Sequence, residues 1–270
     1  MKIGLEFVSP MNFLRQRFIF SAIALVPYLL LTVRKFPKGS GTLLKLLVFS
    51  LINVASSIAT LIGLVDQGSG IASVLTYTQP LFVFCLAIPF LKERVDTVRL
   101  LGAIVGFVGV VVLFSGTLGS FAFDATIILL LGAFLWGAAI VFYKRYLSQT
   151  YPLVANFSYL SMGAVILSIW SLVANDYAFP TDTTYIVSIL YASLAGLSIA
   201  MTLWLFLIRV EDATVIAGSS FLVPVVALFL GWKFLGESLY LESTLGSALV
   251  LLGVYLVNLR RRNKQNSLKS

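Results

Sequence analysis

Histidine is absent from this sequence, and cysteine occurs once, at position 85. The chain therefore lacks the side chains that Cys/His metal clusters and His-based acid–base catalysis need, and a single cysteine cannot form a disulfide within the chain. Neither a metal nor another cofactor is expected. Charge is scarce too, because only 11% of the 270 residues are Asp, Glu, Lys or Arg. A soluble domain has about 25%, so these side chains are too few to cover a surface in water.

Long apolar runs recur along the whole chain. A run of about 20 residues is long enough to cross a bilayer as an α-helix, and the runs do not alternate as the strands of a β-barrel do. We therefore predict an all-α integral membrane protein with about nine transmembrane helices. The predicted spans are residues 12–33, 43–64, 70–91, 98–116, 125–143, 152–174, 184–207, 214–235 and 242–259.

Two stretches of the sequence match each other without a gap. Residues 71–113 align with residues 215–257 at a constant offset of 144 (224 minus 80, for example), which indicates a duplication. The constant offset is clearest in four matched pairs: Pro80 and Pro224, Glu93 and Glu237, Gly102 and Gly246, and Gly109 and Gly253. The glycines form a small-residue stripe that favours close helix packing, either within the chain or in a homodimer.

A repeat of this length has room for five spans. We predict a first repeat at residues 1–116, a second at 125–259, and a basic, disordered cytoplasmic tail at 260–270. Because five is odd, the two repeats would enter the membrane from opposite sides, as they do in many secondary transporters. Residues 2–10 resemble residues 144–152, so the first repeat lacks its opening helix. Either the chain is truncated, its true start lies upstream, or the protein has nine spans.

Lysine and arginine are distributed unequally between the connections. Fifteen of the 19 basic residues fall on one side of the predicted membrane, in the connections near 34–45, 92–99, 144–151 and 208–213 and in the tail. Basic connections stay in the cytoplasm, so the C-terminus is predicted to be cytoplasmic. The net charge of +8 then needs no nucleic-acid partner.

Three segments resemble the EamA repeat of the drug/metabolite transporter superfamily. Residues 69–116 have its proline-containing helix of small residues, its Leu-x-Glu-Arg turn at Leu91–Arg94 and its glycine-rich helix, while residues 133–147 and 9–31 resemble its first and second helices. The resemblance covers nearly the whole chain. It departs at the missing first helix and at Gly236-Glu237-Ser238, which has no arginine. It implies ten helices in two inverted five-helix repeats, and transport of small metabolites, often export of amino acids or related compounds.

Polar residues deep in the predicted spans are the candidates for a substrate site, because such groups are costly in a membrane unless they are bonded or wet. Prolines within spans expose a backbone carbonyl, and aromatic residues could form walls. We expect a central cavity between the repeats, and its candidate residues are Asn53, Tyr77, Gln79, Pro80, Trp136, Asn156, Tyr159, Trp204, Ser219, Ser220 and Pro224. Arg15 and Arg17 lie early in the first span. They either extend to the membrane surface, or one of them faces the cavity and attracts a carboxylate.

The sequence thus favours a cell-membrane transporter that moves small metabolites by alternating access, with a small-molecule substrate and the lipid bilayer as its partners. The alternative is a membrane-embedded enzyme acting on a lipid or lipid-linked substrate. Against it stand the lack of histidine and of paired carboxylates inside the spans. A receptor or scaffold is disfavoured by the short connections.

The orientation can be tested by cysteine labelling in a Cys85→Ser background. We expect Ser120→Cys to react with a membrane-impermeant maleimide in intact cells, because its connection contains no basic residue. Leu268→Cys should react only after the cells are permeabilised. The reverse labelling pattern would contradict the predicted orientation.

Overall fold

The computed structural model describes residues 2–33, 39–66, 69–93, 95–117, 122–235 and 240–266, and all regular structure in these ranges is helical. The α-helices are α1 Lys2–Leu5, α2 Pro10–Thr32, α3 Ser40–Asp66, α4 Ser69–Thr76, α5 Gln79–Leu91, α6 Thr97–Phe114, α7 Phe123–Phe142, α8 Pro152–Ala174, α9 Thr183–Tyr191, α10 Met201–Val210, α11 Ala213–Ser219, α12 Leu222–Leu235 and α13 Leu241–Asn266. Two π-helices, Tyr143–Leu147 and Ala192–Ala200, continue α7 and join α9 to α10, and a 3₁₀ turn, Ser115–Thr117, follows α6.

Within the described residues, eight helical segments are long and apolar enough to cross a membrane. They coincide with eight of the nine predicted spans, so the prediction of an all-helical membrane protein is confirmed. The ninth, at 214–235, corresponds to a shorter apolar stretch, Ala213–Val226. The eight segments are Pro10–Thr32, Ser40–Val65, Ile71–Leu91, Thr97–Phe114, Phe123–Leu147, Pro152–Ala174, Thr183–Val210 and Leu241–Leu259.

The tail is the main departure from the predicted boundaries. Helix α13 continues to Asn266, although the sequence predicted disorder after Leu259, because arginine, lysine and glutamine are good helix formers. Several predicted features fall outside the described residues: Arg34, Lys35, Lys38, Arg94, the turn at Gly236–Glu237–Ser238, the connection at 118–121 and residues 267–270.

The helices form two compact units. The first unit comprises Met1–Leu61 and Phe142–Val210, and the second comprises Ile62–Val141 and Glu211–Ser270. Each unit therefore combines a segment from the first half of the sequence with a segment from the second half.

In the first unit, α2 packs against α8 and the π-helix at 192–200. Gly163 of α8 lets the ring of Phe18 approach so closely that a Cβ on the glycine would lie 2.3 Å from Phe18 Cδ1. The start of α2 is fixed by polar contacts. Gln16 Nε2 donates to the carbonyl oxygen of Ala178 at 3.0 Å, and the Tyr185 hydroxyl donates to Gln16 Oε1 at 2.8 Å. Because all the side-chain groups in this network are buried and bonded, it holds α2 to the beginning of α9.

In the second unit, α6 and α13 run antiparallel with their backbones in contact. A Cβ on Gly253 would lie 2.4 Å from the Gly106 nitrogen, and one on Gly246 would lie 2.4 Å from the Leu113 nitrogen. A Cβ on Gly109 would lie 2.6 Å from the Val250 nitrogen and 2.9 Å from the Gly246 carbonyl oxygen. The glycine stripe predicted from the sequence is therefore a packing surface within the chain, between α6 and α13.

The connection between α5 and α6 is tied to the start of α11 by Glu93. Its carboxylate accepts from the Ala213 nitrogen at 2.7 Å, and from the Thr214 nitrogen at 3.2 Å and hydroxyl at 2.7 Å. A salt bridge of 3.0 Å between Arg99 and Asp212 lies beside this contact. The first amides of a helix have no helical acceptor, and a carboxylate there is favoured by the helix dipole. The glutamate of the first Leu-x-Glu-Arg turn thus caps a helix that is distant in the sequence.

The glycine contact predicts a large difference between two alanine substitutions. Gly246→Ala should lower the unfolding free energy by about 1–3 kcal/mol or more, because its Cβ would overlap the α6 backbone. Gly41→Ala is the matched control, since Gly41 also lies in a helix but has no atom within 4 Å of its ideal Cβ. Thermal unfolding of the detergent-solubilised protein measures both. Equal stability of the two variants would show that α6 and α13 are not in backbone contact.

Candidate functional site

The two prolines selected from the sequence each follow a helix break. Tyr77 and Thr78 separate α4 from α5, and Pro80 is the second residue of α5. Pro224 is the third residue of α12, after a break at Ser220 and Phe221. From the sequence, each proline was expected to expose a backbone carbonyl within its span. In the structure each proline lies in the first turn of a new helix, where its missing N–H removes no helical hydrogen bond.

Gln79 is the unusual side chain at the first break. It is only 2% exposed, and its Nε2 has no hydrogen-bond partner in the described part of the chain. The neighbouring threonines differ, because Thr76 and Thr78 donate to the carbonyl oxygens of Ala72 and Leu75. An unsatisfied buried polar group costs about 1–3 kcal/mol. Within the described residues, the Nε2 group of Gln79 therefore contributes no hydrogen bond to the fold.

The serines at the second break are bonded locally. Ser219 Oγ donates to the Val215 carbonyl oxygen at 2.8 Å, and Ser220 Oγ donates to that of Ala217 at 2.6 Å. Their single hydroxyl hydrogens are thus occupied within α11, which leaves only lone pairs for a ligand. Tyr77 is partly buried and packs on a cluster that includes Phe221, its equivalent in the second repeat.

The sequence candidates divide between the two units. Tyr77, Gln79, Pro80, Trp136, Ser219, Ser220 and Pro224 belong to the second unit, and Asn53, Asn156, Tyr159 and Trp204 belong to the first. Trp136 is partly buried on α7, where its neighbour Gly137 lies against the Gln79 backbone. Trp204 is partly buried on α10, and its Nε1 is buried with no partner among the described residues.

Asn156 supports the π-helix at 192–200. Its Nδ2 donates to the carbonyl oxygens of Leu197 and Ser198 at 2.9 and 3.2 Å, and to the Thr202 hydroxyl at 2.9 Å. A π-helix interrupts the regular i→i+4 pattern of hydrogen bonds, so carbonyl groups near its end need donors from elsewhere. Asn156 supplies one from a completely buried position on α8. The serines at 193 and 198 bond to Ser21 and so fix the other side of this segment to α2.

Tyr159 and Asn53 are linked through Ser57, a residue that the sequence analysis did not select as part of the site. The Ser57 hydroxyl donates to the Asn53 carbonyl oxygen at 2.9 Å and lies 2.8 Å from the Tyr159 hydroxyl. Serine has one hydroxyl hydrogen, so in this arrangement the tyrosine hydroxyl is the donor to Ser57. Asn53 Nδ2 itself donates to the Phe49 carbonyl oxygen of its own helix at 2.9 Å.

The two arginines of α2 have different surroundings. Arg15 donates to the Ser171 hydroxyl at 2.7 Å, near the end of α8. Arg17 lies within electrostatic reach of Tyr159, and its Nη2 lies 3.6 Å from the position of a Cβ on Gly196 in the π-helix. Gly196 looked like an ordinary small residue of an apolar run, and no local sequence signal marks it as the neighbour of a charge.

The fold of this chain is shared with a protein of known structure. One solved crystal structure superposes with a TM-score of 0.82 over 95% of this chain and 91% of its own, at 16% identity. At that identity the match shows only the fold. Together with the eight apolar helices, it makes this chain a multi-pass membrane protein. Among the described residues there is no group of three or more His, Cys, Asp or Glu that could hold a metal ion.

The chain belongs to the EamA-like transporter family, whose model matches residues 1–115 and 125–259. It is 27% identical over 263 residues to the transporter YoaV of Bacillus subtilis (95% of this chain, 89% of YoaV). It is 29% identical over 262 residues to the inner membrane transporter YedA of Escherichia coli K12 (96% of this chain, 84% of YedA). A transporter of Archaeoglobus fulgidus is 30% identical over 202 residues (74% and 71%). The protein is therefore a membrane transporter of this family.

The bonds of Asn156 predict that it matters more for folding than Asn53. Asn156→Leu should lower the unfolding free energy by about 1–3 kcal/mol, because buried π-helix carbonyls lose a donor. Asn53→Leu should cost less, since the Phe49 carbonyl also lies within a regular helix. Thermal unfolding in detergent compares the two variants, and an equal or larger loss for Asn53→Leu would contradict the supporting role of Asn156.

Proposed function

We propose that the protein exports a small metabolite, an amino acid or a related compound, by alternating access between two inverted repeats. The observation that carries this proposal is the amide of Gln79, which is buried at a helix break and has no partner within the described chain. Such a group destabilises the fold unless it forms a hydrogen bond with another molecule, such as a bound substrate. Broken helices that expose donors and acceptors are the usual building blocks of transporter substrate sites.

The contact between α6 and α13 supports the inverted arrangement. Gly102 lies against Gly253 and Gly109 lies against Gly246, so each helix presents the same two glycines to the other. Such a reciprocal contact between antiparallel helices is what a two-fold axis perpendicular to the helices produces. We therefore take the repeats as residues 1–116 and 125–259, followed by the tail at 260–270.

Equivalent helix breaks suggest how access could alternate. At the offset of 144, the break before Pro80 and the break before Pro224 lie within one residue of each other. Two inverted copies of one sequence can each adopt the conformation of the other, and such an exchange would move the opening from one side of the membrane to the other. Each repeat would bend at its own break.

In this proposal Gln79 is the main contact with the substrate in the second unit, and Tyr77 and Trp136 lie beside it. Ser219 and Ser220 are not proposed as substrate contacts, because their hydroxyl groups donate to carbonyl oxygens of α11. Export is the direction that the family resemblance suggests, with the C-terminus in the cytoplasm. No observation favours the lipid-modifying enzyme, and the relatives carry the names of transporters.

Gln79→Met separates a transport role from a folding role. The substitution removes a buried unsatisfied amide, so thermal stability should be unchanged or higher. Flux should fall by about 10- to 100-fold if the amide bonds the substrate. The measurement is uptake of radiolabelled amino acids and small metabolites into proteoliposomes, with the product recovered and shown by mass spectrometry to be chemically unaltered.

Ser219→Ala serves as the control for that experiment, because its hydroxyl bonds within its own helix. It should change flux less than twofold. Normal flux in Gln79→Met would show that the substrate does not contact this amide. A covalent change in the recovered compound would favour the enzyme instead.

A further inference from the structure

Glu93 joins the two helices that border the helix breaks. Helix α5 begins at Gln79, directly after the first break, and α11 ends at Ser219, directly before the second. Both helices belong to the second unit and pack against each other. The Glu93 carboxylate, just beyond the end of α5, accepts hydrogen bonds of 2.7, 3.2 and 2.7 Å from the first two residues of α11. A bend at either break that moves α5 relative to α11 would have to break these bonds.

The buried part of α11 that follows this contact offers little resistance to such a movement. Its residues are apolar or small: Val215, Ile216, Ala217 and Gly218. Apolar side chains have no directional bonds to break, and no hydrophobic force holds helices together within a membrane. Glu93 therefore supplies a directional contact between two helices that could otherwise slide or tilt.

Helix α11 has a second group that could cap it. Asp212 occupies the N-cap position, where an aspartate ordinarily accepts from the second or third amide of the helix. In this conformation its side chain caps nothing and accepts from Arg99 of α6 at 3.0 Å instead. The Asp212 side chain is 49% exposed, and an exposed salt bridge is weak. If Glu93 were released, Asp212 could take its place, and α11 would remain a helix.

We propose that Glu93 is a latch for transport: it holds α5 to α11 in this conformation and releases α11 in each transport cycle, when Asp212 caps the released helix. The inference rests on the proposed alternating-access function. Glu93 is partly exposed, so on release its oxygens exchange protein donors for water. The contact can therefore favour one conformation and still be reversible.

Hydrogen exchange of the full chain in detergent tests whether the latch opens in the folded protein. The amides of Ala213 and Thr214 should exchange faster than those of α6 and α13, because they need only a local release and not unfolding. Glu93→Gln should speed their exchange by about 10- to 100-fold. Glutamine has the same size, but its side-chain nitrogen is a donor, so one of the two positions that accept here would no longer do so.

Three variants separate a latch from an ordinary helix cap. Asp212→Ala should leave the exchange of Ala213 and Thr214 within about twofold of the wild type, since Glu93 still bonds them. Glu93→Gln combined with Asp212→Ala should expose all of α11 to exchange, because both caps are lost. Glu242→Gln is the matched control. It changes an exposed glutamate in the first turn of α13 and should not alter exchange in α11.

Cross-linking tests whether the release is part of transport. In a Cys85→Ser background, Lys92→Cys and Glu211→Cys place thiols beside the two ends of the contact. A reducible bismaleimide joins them, and mass spectrometry verifies the link. The link should stop the uptake of radiolabelled amino acids and small metabolites into proteoliposomes, and dithiothreitol should restore it. The same reagent should leave the flux of the single variant Lys92→Cys unchanged.

The outcomes separate this proposal from the general one. If the cross-linked protein keeps its flux, if Ala213 and Thr214 exchange no faster than α6 and α13, or if Glu93→Gln alone exposes all of α11, the latch is overturned while the transport function stands. If no compound is moved, the proposed function falls and the latch falls with it. Faster exchange in Glu93→Gln with the rest of α11 still protected, together with a reversible block by the cross-link, supports the latch.

Discussion

Every backbone N–H and C=O group inside a membrane must find its partner within the protein, and this constraint explains most of the polar contacts of the structure. Uninterrupted α-helices satisfy it by themselves. At the departures from α-helix, hydroxyl and amide groups take over. Asn156 donates to carbonyls at the end of the π-helix, Thr76 and Thr78 donate to carbonyls beside the first break, and Ser219 and Ser220 do so beside the second.

The same constraint separates structural polar groups from candidate functional ones. A group that bonds to its own fold, as the Thr78 hydroxyl does, is explained without a ligand. The Gln79 Nε2 group is not, since it is buried and has no hydrogen-bond partner in the described residues. The Gln79 side chain therefore carries the proposal for the substrate.

Close packing provides the rigidity around these positions. In a membrane there is no hydrophobic force between helices, so their association depends on close contact between small residues. The glycines of α6 and α13 allow backbone contact in the second unit, and Gly163 does the same for Phe18 in the first. Glu93 adds a charged contact where helix α11 begins. The two helix breaks are thus flanked by well-packed helices.

The sequence by itself determined the membrane class, eight of the described spans and the family, because all of these depend on the length, hydrophobicity and spacing of segments. It also marked Gln79, Pro80 and Pro224 as neighbours of irregular backbone. It could not show that each helix ends before its proline, or that Ser219 and Ser220 donate to carbonyl oxygens of α11 while Gln79 Nε2 has no partner in the described residues. The tertiary structure decided these points, together with the π-helix, the place of Gly196 beside Arg17 and the capping role of Glu93. Such features depend on which distant residues face each other, and a single sequence carries no local signal for that.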